Sequence, residues 1–230
     1  MKKILVIILL LGLICFTTGV AFAEGNTPVT VACVGDSITY GEVPYSGGGF
    51  NLIDYPSVLG NLLGDDWAVY NFGRPGASLT LPGLWYPVCR ENYAAIDLCA
   101  DYYFVMLGSN DSAQGDFWDP EAYEKNLVEL VEKYEEANPN TVIFLMSPPF
   151  TKPHQGTDYY SLNPELLKND IHDIVQRVAD ELNTEFLDIY SVTSENQDWV
   201  GADGVHFSQE GYEALGNYVY EQLNNYAKAG

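Results

Sequence analysis

The chain has 230 residues, with 32 acidic and 10 basic side chains and a formal charge of −22. A surface of that sign repels duplex nucleic acid and anionic membranes, and no local basic cluster offsets it, so no nucleic-acid partner is expected and a neutral or cationic substrate is favoured. The 3 histidines form no His-x-x-x-His or similar cluster, and the cysteines lack zinc or iron-sulfur spacing, so neither a metal nor a cofactor is expected.

The first 23 residues have the layout of a cleaved secretory signal peptide: Lys2 and Lys3, an apolar run from Ile4 to Cys15, then small residues ending in Ala21-Phe22-Ala23. The run is short for a bilayer and is broken by Thr17 and Thr18, which argues against a retained anchor. Ile14 before Cys15 does not fit a lipoprotein signal. Residues 24–230 are then one secreted domain without stable membrane insertion. Losing the two lysines takes the formal charge from −22 to −24. No linker, repeat or second composition regime divides it.

Five short apolar runs read as strands: Pro28 to Val34, Trp67 to Phe72, Tyr102 to Leu107, Thr141 to Met146 and, more weakly, Glu185 to Ile189. They are continuously apolar rather than alternating, as strands covered on both faces are. Helices are predicted between them. Asp54 to Leu63 carries Val58, Leu59, Leu62 and Leu63 at helical spacing. Pro120 to Ala137, capped by Asp119, places Tyr123, Leu127, Leu130, Val131 and Tyr134 on one face. A third opens at Asn163-Pro164, with Leu167, Ile171, Ile174, Val175, Val178 and Leu182 as its stripe, and Ser208 caps a last one to about Tyr226. This alternation predicts a three-layer α/β/α sandwich around a mostly parallel five-stranded sheet. After signal removal three cysteines remain. Cys89 and Cys99 flank a predicted short helix and are candidates for a disulfide closing a small loop; Cys33 reads as a buried thiol within a strand.

In open parallel sheets ligands lie at the carboxyl ends of the strands, and three strands here end in small polar clusters. The first gives Gly35-Asp36-Ser37-Ile38-Thr39, where Ser37 reads either as a helix cap or as a nucleophile. A serine hydroxyl needs an adjacent base to attack a carbonyl. Of the histidines, His154 lies in a Pro- and Gly-bounded loop and His172 lies off the apolar face of its helix, as a solvent-facing residue would. His206 follows Asp203 by three residues, so one turn can hold the carboxylate against Nδ1 while Nε2 faces elsewhere. The other clusters offer donors for an oxyanion: the Gly73 N–H and the Asn110 amide, together with the Ser37 N–H. Asp36 and Asp111 are expected to brace the strand-end loops by hydrogen bonding.

Gly35-Asp36-Ser37-Ile38-Thr39, Gly73 within Asn71-Phe72-Gly73-Arg74-Pro75-Gly76, Gly108-Ser109-Asn110-Asp111 and Asp203-Gly204-Val205-His206, in that order, resemble the four blocks of the SGNH/GDSL hydrolase superfamily. The resemblance spans nearly the whole chain after the signal. It implies Ser37 as nucleophile, Gly73 and Asn110 as oxyanion donors, His206 as base and Asp203 as its charge partner. The Gly-x-Ser-x-Gly elbow of α/β-hydrolases is absent around Ser37. Aromatics follow the blocks: Tyr40 and Tyr45 near the Gly47-Gly48-Gly49 run, Trp85 and Tyr86, then Phe117 and Trp118. Tyr40, Trp85 and Trp118 are candidates for a substrate rim, since such rings suit a sugar face or a short acyl group. The expected substrate is a small-molecule or polysaccharide ester, with carbohydrate O-acetyl groups ahead of aryl or short-chain lipid esters. A catalytically silent carbohydrate-binding module is the reading of another class.

Overall fold

The computed structural model describes residues 27–42, 53–152 and 162–229. The segment read as a signal peptide, Tyr45, the Gly47-Gly48-Gly49 run and His154 lie outside the described residues. In chain order the elements are β1 (Val29–Gly35), α1 (Ser37–Tyr40), α2 (Tyr55–Leu63), β2 (Trp67–Gly73), α3 (Arg90–Leu98), β3 (Tyr102–Met106), α4 (Pro120–Ala137), β4 (Val142–Met146), α5 (Pro164–Leu166), α6 (His172–Leu182), β5 (Glu185–Leu187), α7 (Ile189–Glu195) and α8 (Gln209–Ala229). Short 3-10 turns lie at Tyr86–Val88, Asp111–Phe117 and Gln197–Trp199, and a π turn at Leu167–Ile171 joins α5 to α6.

The sheet has five strands in the order β2-β1-β3-β4-β5, every pairing parallel. Connections run outward in one direction from β1 and in the other from β3, so the strand order reverses between these two. The crevice beyond their carboxyl ends is where such a sheet takes its ligand.

Side chains alternate across the sheet even though both faces are apolar. Ala32, Val34, Tyr103 and Val105 face the core completed by α3, α4 and α6; Val31, Cys33, Phe104 and Met106 face the one completed by α2 and α8. Phe104 and Phe144 stack at 4.6 Å between centroids in the second core. Truncating either to alanine would cost about 3–5 kcal/mol through lost contact and cavity.

The predicted helices form, with local differences. Asp54 and Ser57 make a reciprocal capping box at the start of α2. Its buried stripe is Tyr55 and Leu59, with Leu63 packed partly against the same core, while Leu62 points outward because it lies off that stripe. β5 ends at Leu187, where Asp188 caps α7 through the Ser191 N–H at 2.9 Å.

The expected Cys89–Cys99 disulfide is absent: Cys33, Cys89 and Cys99 are all free thiols. Cys89 caps the start of α3, its sulfur accepting the Asn92 N–H, and Cys99 caps the end in a left-handed conformation. Nine helical residues hold the two Cα atoms about 15 Å apart, more than twice what a disulfide spans.

Candidate active site

The site begins with register. Gly73, Gly35 and Met106 lie side by side at the carboxyl ends of β2, β1 and β3. Neighbouring strands are about 4.8 Å apart, so the loops after them share one small area. Ser37 comes two residues after Gly35, and Asn110 four after Met106.

β1 turns directly into the one-turn helix α1. Asp36 caps it, Oδ1 accepting the Ile38 N–H at 2.9 Å. Ser37 is the first helical residue, so its own N–H has no intrahelical partner. Gly73 allows β2 to end against this turn: a Cβ there would lie 2.2 Å from the Tyr40 backbone nitrogen.

His206 arrives on the loop before α8. The Val200–Phe207 bridge and the Gly201 N–H bond to the His206 carbonyl (2.8 Å) close the loop, and the Lys152 N–H holds the Gly204 carbonyl at 2.8 Å. Gly204 takes φ 79°, a left-handed turn that a side chain would strain. Inside it Asp203 Oδ1 accepts the Val205 and His206 N–H groups, each at 2.9 Å, and Oδ2 lies 2.7 Å from His206 Nδ1. A carboxylate can only accept, so Nδ1 carries the proton and Nε2 keeps its lone pair. Nε2 lies 2.8 Å from Ser37 Oγ. Ser37, His206 and Asp203 therefore form one continuous relay, from residues that the sequence separates by as many as 169 positions.

Electrostatics follow the contacts. Burial would lower the His206 pKa, but the Asp203 carboxylate, with Glu42 and Asp36 behind it, outweighs burial and holds it above the ordinary value. Burial would raise Asp203, but His206 and the two backbone donors hold it below the usual carboxylate range. Asp36 is enclosed, and burial pushes its pKa up to about 6 against the pull of the Ile38 N–H. Its Oδ2 and the nearby Ser109 Oγ have no hydrogen-bond partner among the described residues.

The oxyanion candidates divide. Asn110 is buried, one amide hydrogen going to the Ala77 carbonyl at 2.9 Å and the other left over. The Gly73 N–H, expected as a free donor, is bonded to Asn71 Oδ1 at 2.8 Å, while Asn71 Nδ2 holds the Thr39 carbonyl at 2.8 Å. The side chain two residues upstream in β2 thus folds back to clip β2 to α1 and takes up that donor.

Asp111 braces the neighbouring loop, accepting from Ser78 Oγ, the Leu79 and Thr80 N–H groups and Thr80 Oγ1. Beyond that loop a cavity of about 500 Å³ is lined by Arg74, Thr80, Trp85 and Asn126 among others. Trp85 and Tyr40 are partly exposed. Trp118 does not stand free in solvent. It packs on Tyr123, and its indole N–H bonds Asp170 Oδ2 at 3.2 Å, because the π turn brings Asp170 over it. His172 is also not solvent-facing: its ring packs edge-on to Phe186 at 5.5 Å, with Asp173 and Asp188 oxygens 3.1 and 3.2 Å from its nitrogens. Glu42 drew no notice in the sequence, yet its Oε2 stands 3.7 Å from His206 Nε2. No motif marks it; only the sharp end of α1 brings it there.

A serine, a histidine and an aspartate in one relay, beside the Ser37 N–H and the spare Asn110 amide hydrogen at the switch point of a parallel α/β sheet, are the parts of a serine-hydrolase type of site. The chain belongs to the GDSL-like lipase/acylhydrolase family, whose sequence model matches residues 33–214. It is 27% identical over 236 residues to a multidomain esterase of Ruminococcus flavefaciens, an alignment covering 87% of this chain and 29% of that protein. It is 23% identical over 221 residues to an acetylxylan esterase of Xylanibacter ruminicola, covering 86% and 43%. The chain thus spans less than half the length of these curated relatives. In fold it is similar to the inhibitor-bound aryl esterase of M. smegmatis, with a TM-score of 0.72 at 22% identity over 86% of this chain and 99% of that one.

Proposed function

We propose that this chain is a secreted serine esterase that hydrolyses short acyl esters, O-acetyl groups on carbohydrate foremost, through an acyl-enzyme. The observation that carries the reading is the relay itself: 2.7 Å from Asp203 to His206 and 2.8 Å from His206 to Ser37.

Ser37 Oγ attacks the ester carbonyl as His206 Nε2 takes its proton, and Asp203 stabilises the imidazolium that results. The Ser37 N–H and the second Asn110 amide hydrogen receive the negative oxygen of the tetrahedral intermediate. Gly73 serves by its lack of a side chain. Collapse breaks the bond to the alcohol oxygen, which takes the proton from His206 and leaves an acyl-Ser37 ester. Water, giving a proton to the same nitrogen, then attacks that ester, and the acid departs as the proton returns to Ser37.

The carbohydrate assignment is supported by the acetylxylan esterase relative and by the exposed faces of Tyr40 and Trp85, which suit a sugar ring. Export rests on the signal-like residues 1–23. Among the described residues no helix is long and apolar enough to cross a membrane.

The test pairs wild type with Ser37→Ala against acetylated xylan, acetylated glucomannan, aryl esters from acetate to longer acyl chains and lysophospholipid, alongside fluorophosphonate labelling. Labelling lost in Ser37→Ala, with polysaccharide deacetylation above aryl acetate hydrolysis, is expected. Rates that rise with acyl chains beyond about four carbons would overturn the substrate. Folded protein that takes no label would overturn the hydrolase and leave the binding-module reading.

A further inference from the structure

Glu42 stands beside the reacting atoms without being part of the relay. Its backbone is fixed on both sides: its N–H donates to the Ser37 carbonyl at 2.9 Å, and the buried Tyr212 hydroxyl donates to its own carbonyl at 2.7 Å. The side chain is partly exposed and makes no hydrogen bond among the described residues. Its Oε2 lies 3.7 Å from His206 Nε2, the nitrogen that is 2.8 Å from Ser37 Oγ. That nitrogen must hand its proton to the departing alcohol, so the carboxylate borders the space into which the alcohol half of the ester leaves. Asp203, by contrast, lies behind the ring at Nδ1.

We propose that Glu42 is a specificity-determining residue of this site, whose carboxylate selects esters of neutral or cationic alcohols against those of anionic alcohols. The inference rests on Ser37 as nucleophile and His206 as base. Two unit charges about 7 Å apart in a partly solvated cleft, with an effective dielectric near 40, interact by enough to change a rate about 5- to 10-fold. The charge also acts on His206. The groups facing that ring are Asp203 on its own loop and Asp36, Ser37 and Glu42 around α1; Lys152 Nζ is occupied by the Val200 carbonyl at 2.6 Å. Both carboxylates flanking α1 add to the pull of Asp203 on the His206 proton.

The experiment compares 4-acetoxybenzoate with its methyl ester, which share the acyl group and differ in the charge of the leaving phenol. Each kcat/KM is divided by the alkaline hydrolysis rate of the same compound. Wild type at low ionic strength is expected to prefer the methyl ester about 5- to 10-fold, and 1 M salt, which shortens the screening length to about 3 Å, to reduce that preference to about twofold or less. Glu42→Gln is expected to bring it to about twofold without salt, and Glu42→Lys to reverse it. The acid limb of kcat/KM is expected at lower pH in Glu42→Gln than in wild type, because His206 must be neutral to accept the Ser37 proton. Melting curves verify that each variant folds. Full discrimination retained in folded Glu42→Gln and Glu42→Lys, or an acid limb that stays in place, would overturn the proposal. Ser37→Ala, run alongside, is expected to lose both activities; if it kept them, the hydrolase reading would fail whatever Glu42 does.

Discussion

Replacing Asp203 with asparagine separates charge and tautomer from shape. The asparagine oxygen can still accept the Val205 and His206 N–H groups that Asp203 Oδ1 holds at 2.9 Å, so the loop keeps its turn. Its amide nitrogen then occupies the Oδ2 position, 2.7 Å from Nδ1. A donor there forces the imidazole proton onto Nε2, which then meets Ser37 Oγ with a hydrogen instead of a lone pair. The charge loss adds to this. A carboxylate and an imidazolium with centres about 4 Å apart attract by about 4 kcal/mol at an effective dielectric of 20, equivalent to about a thousandfold in rate. With the wrong tautomer included, kcat is expected to fall about 10³- to 10⁴-fold; the same change in a serine-protease triad costs about 10⁴. Steady-state hydrolysis of 4-nitrophenyl acetate measures it, with thermal melting as the folding control. A folded Asp203→Asn enzyme within tenfold of the wild-type kcat would refute the role given to the relay.

Three further outcomes are expected. Asp36 is buried with its pKa raised to about 6 from 3.8, so the folded state holds its proton over a window where the unfolded chain has lost it, and stability falls as pH rises through that window. The cost at pH 7 is about 3 kcal/mol, so melts of Asp36→Asn and wild type should be closest at pH 4 and diverge by pH 7 in favour of the variant; a constant difference would contradict this. Gly73→Ala puts a methyl group 2.2 Å from the Tyr40 nitrogen and should displace α1 with Ser37, lowering the melting temperature and cutting kcat by more than about tenfold. Thiol titration of unreduced, denatured protein lacking residues 1–23 should find three reactive cysteines, because Cys33, Cys89 and Cys99 are free; one thiol would mean that Cys89 and Cys99 are joined after all.

The layers and the relay were legible because each leaves a local mark. Apolar runs such as Tyr102 to Leu107 are too short for helices and end in glycine, and Asp203 and His206 lie within one turn of each other. What escaped depends on contacts between distant segments. Asn71 looks like an ordinary strand-end polar residue until β2 meets α1, where its amide takes up both the Thr39 carbonyl and the Gly73 N–H. Trp118 resembles Trp85 in sequence context, but the π turn supplies Asp170 to its indole. Cys89 and Cys99 are close in sequence, and a straight helix keeps them apart in space. His172 sits off its helix's main stripe, yet β5 and the start of α7 cover it with Phe186 and Tyr190.

The chain distance between Ser37 and His206 has a consequence for the life of the molecule. Ser37, the proposed nucleophile, lies near the start of the described residues, and His206, its proposed base, next to the last helix, 169 residues on. A nascent or truncated chain carries Ser37 only as an ordinary alcohol, inert toward esters. On the proposed roles, reactivity requires the contact that forms when the loop before α8 seats His206 against the end of β1. Turnover is therefore a built-in certificate of complete assembly, and the regain of activity during refolding should trail the regain of sheet signal.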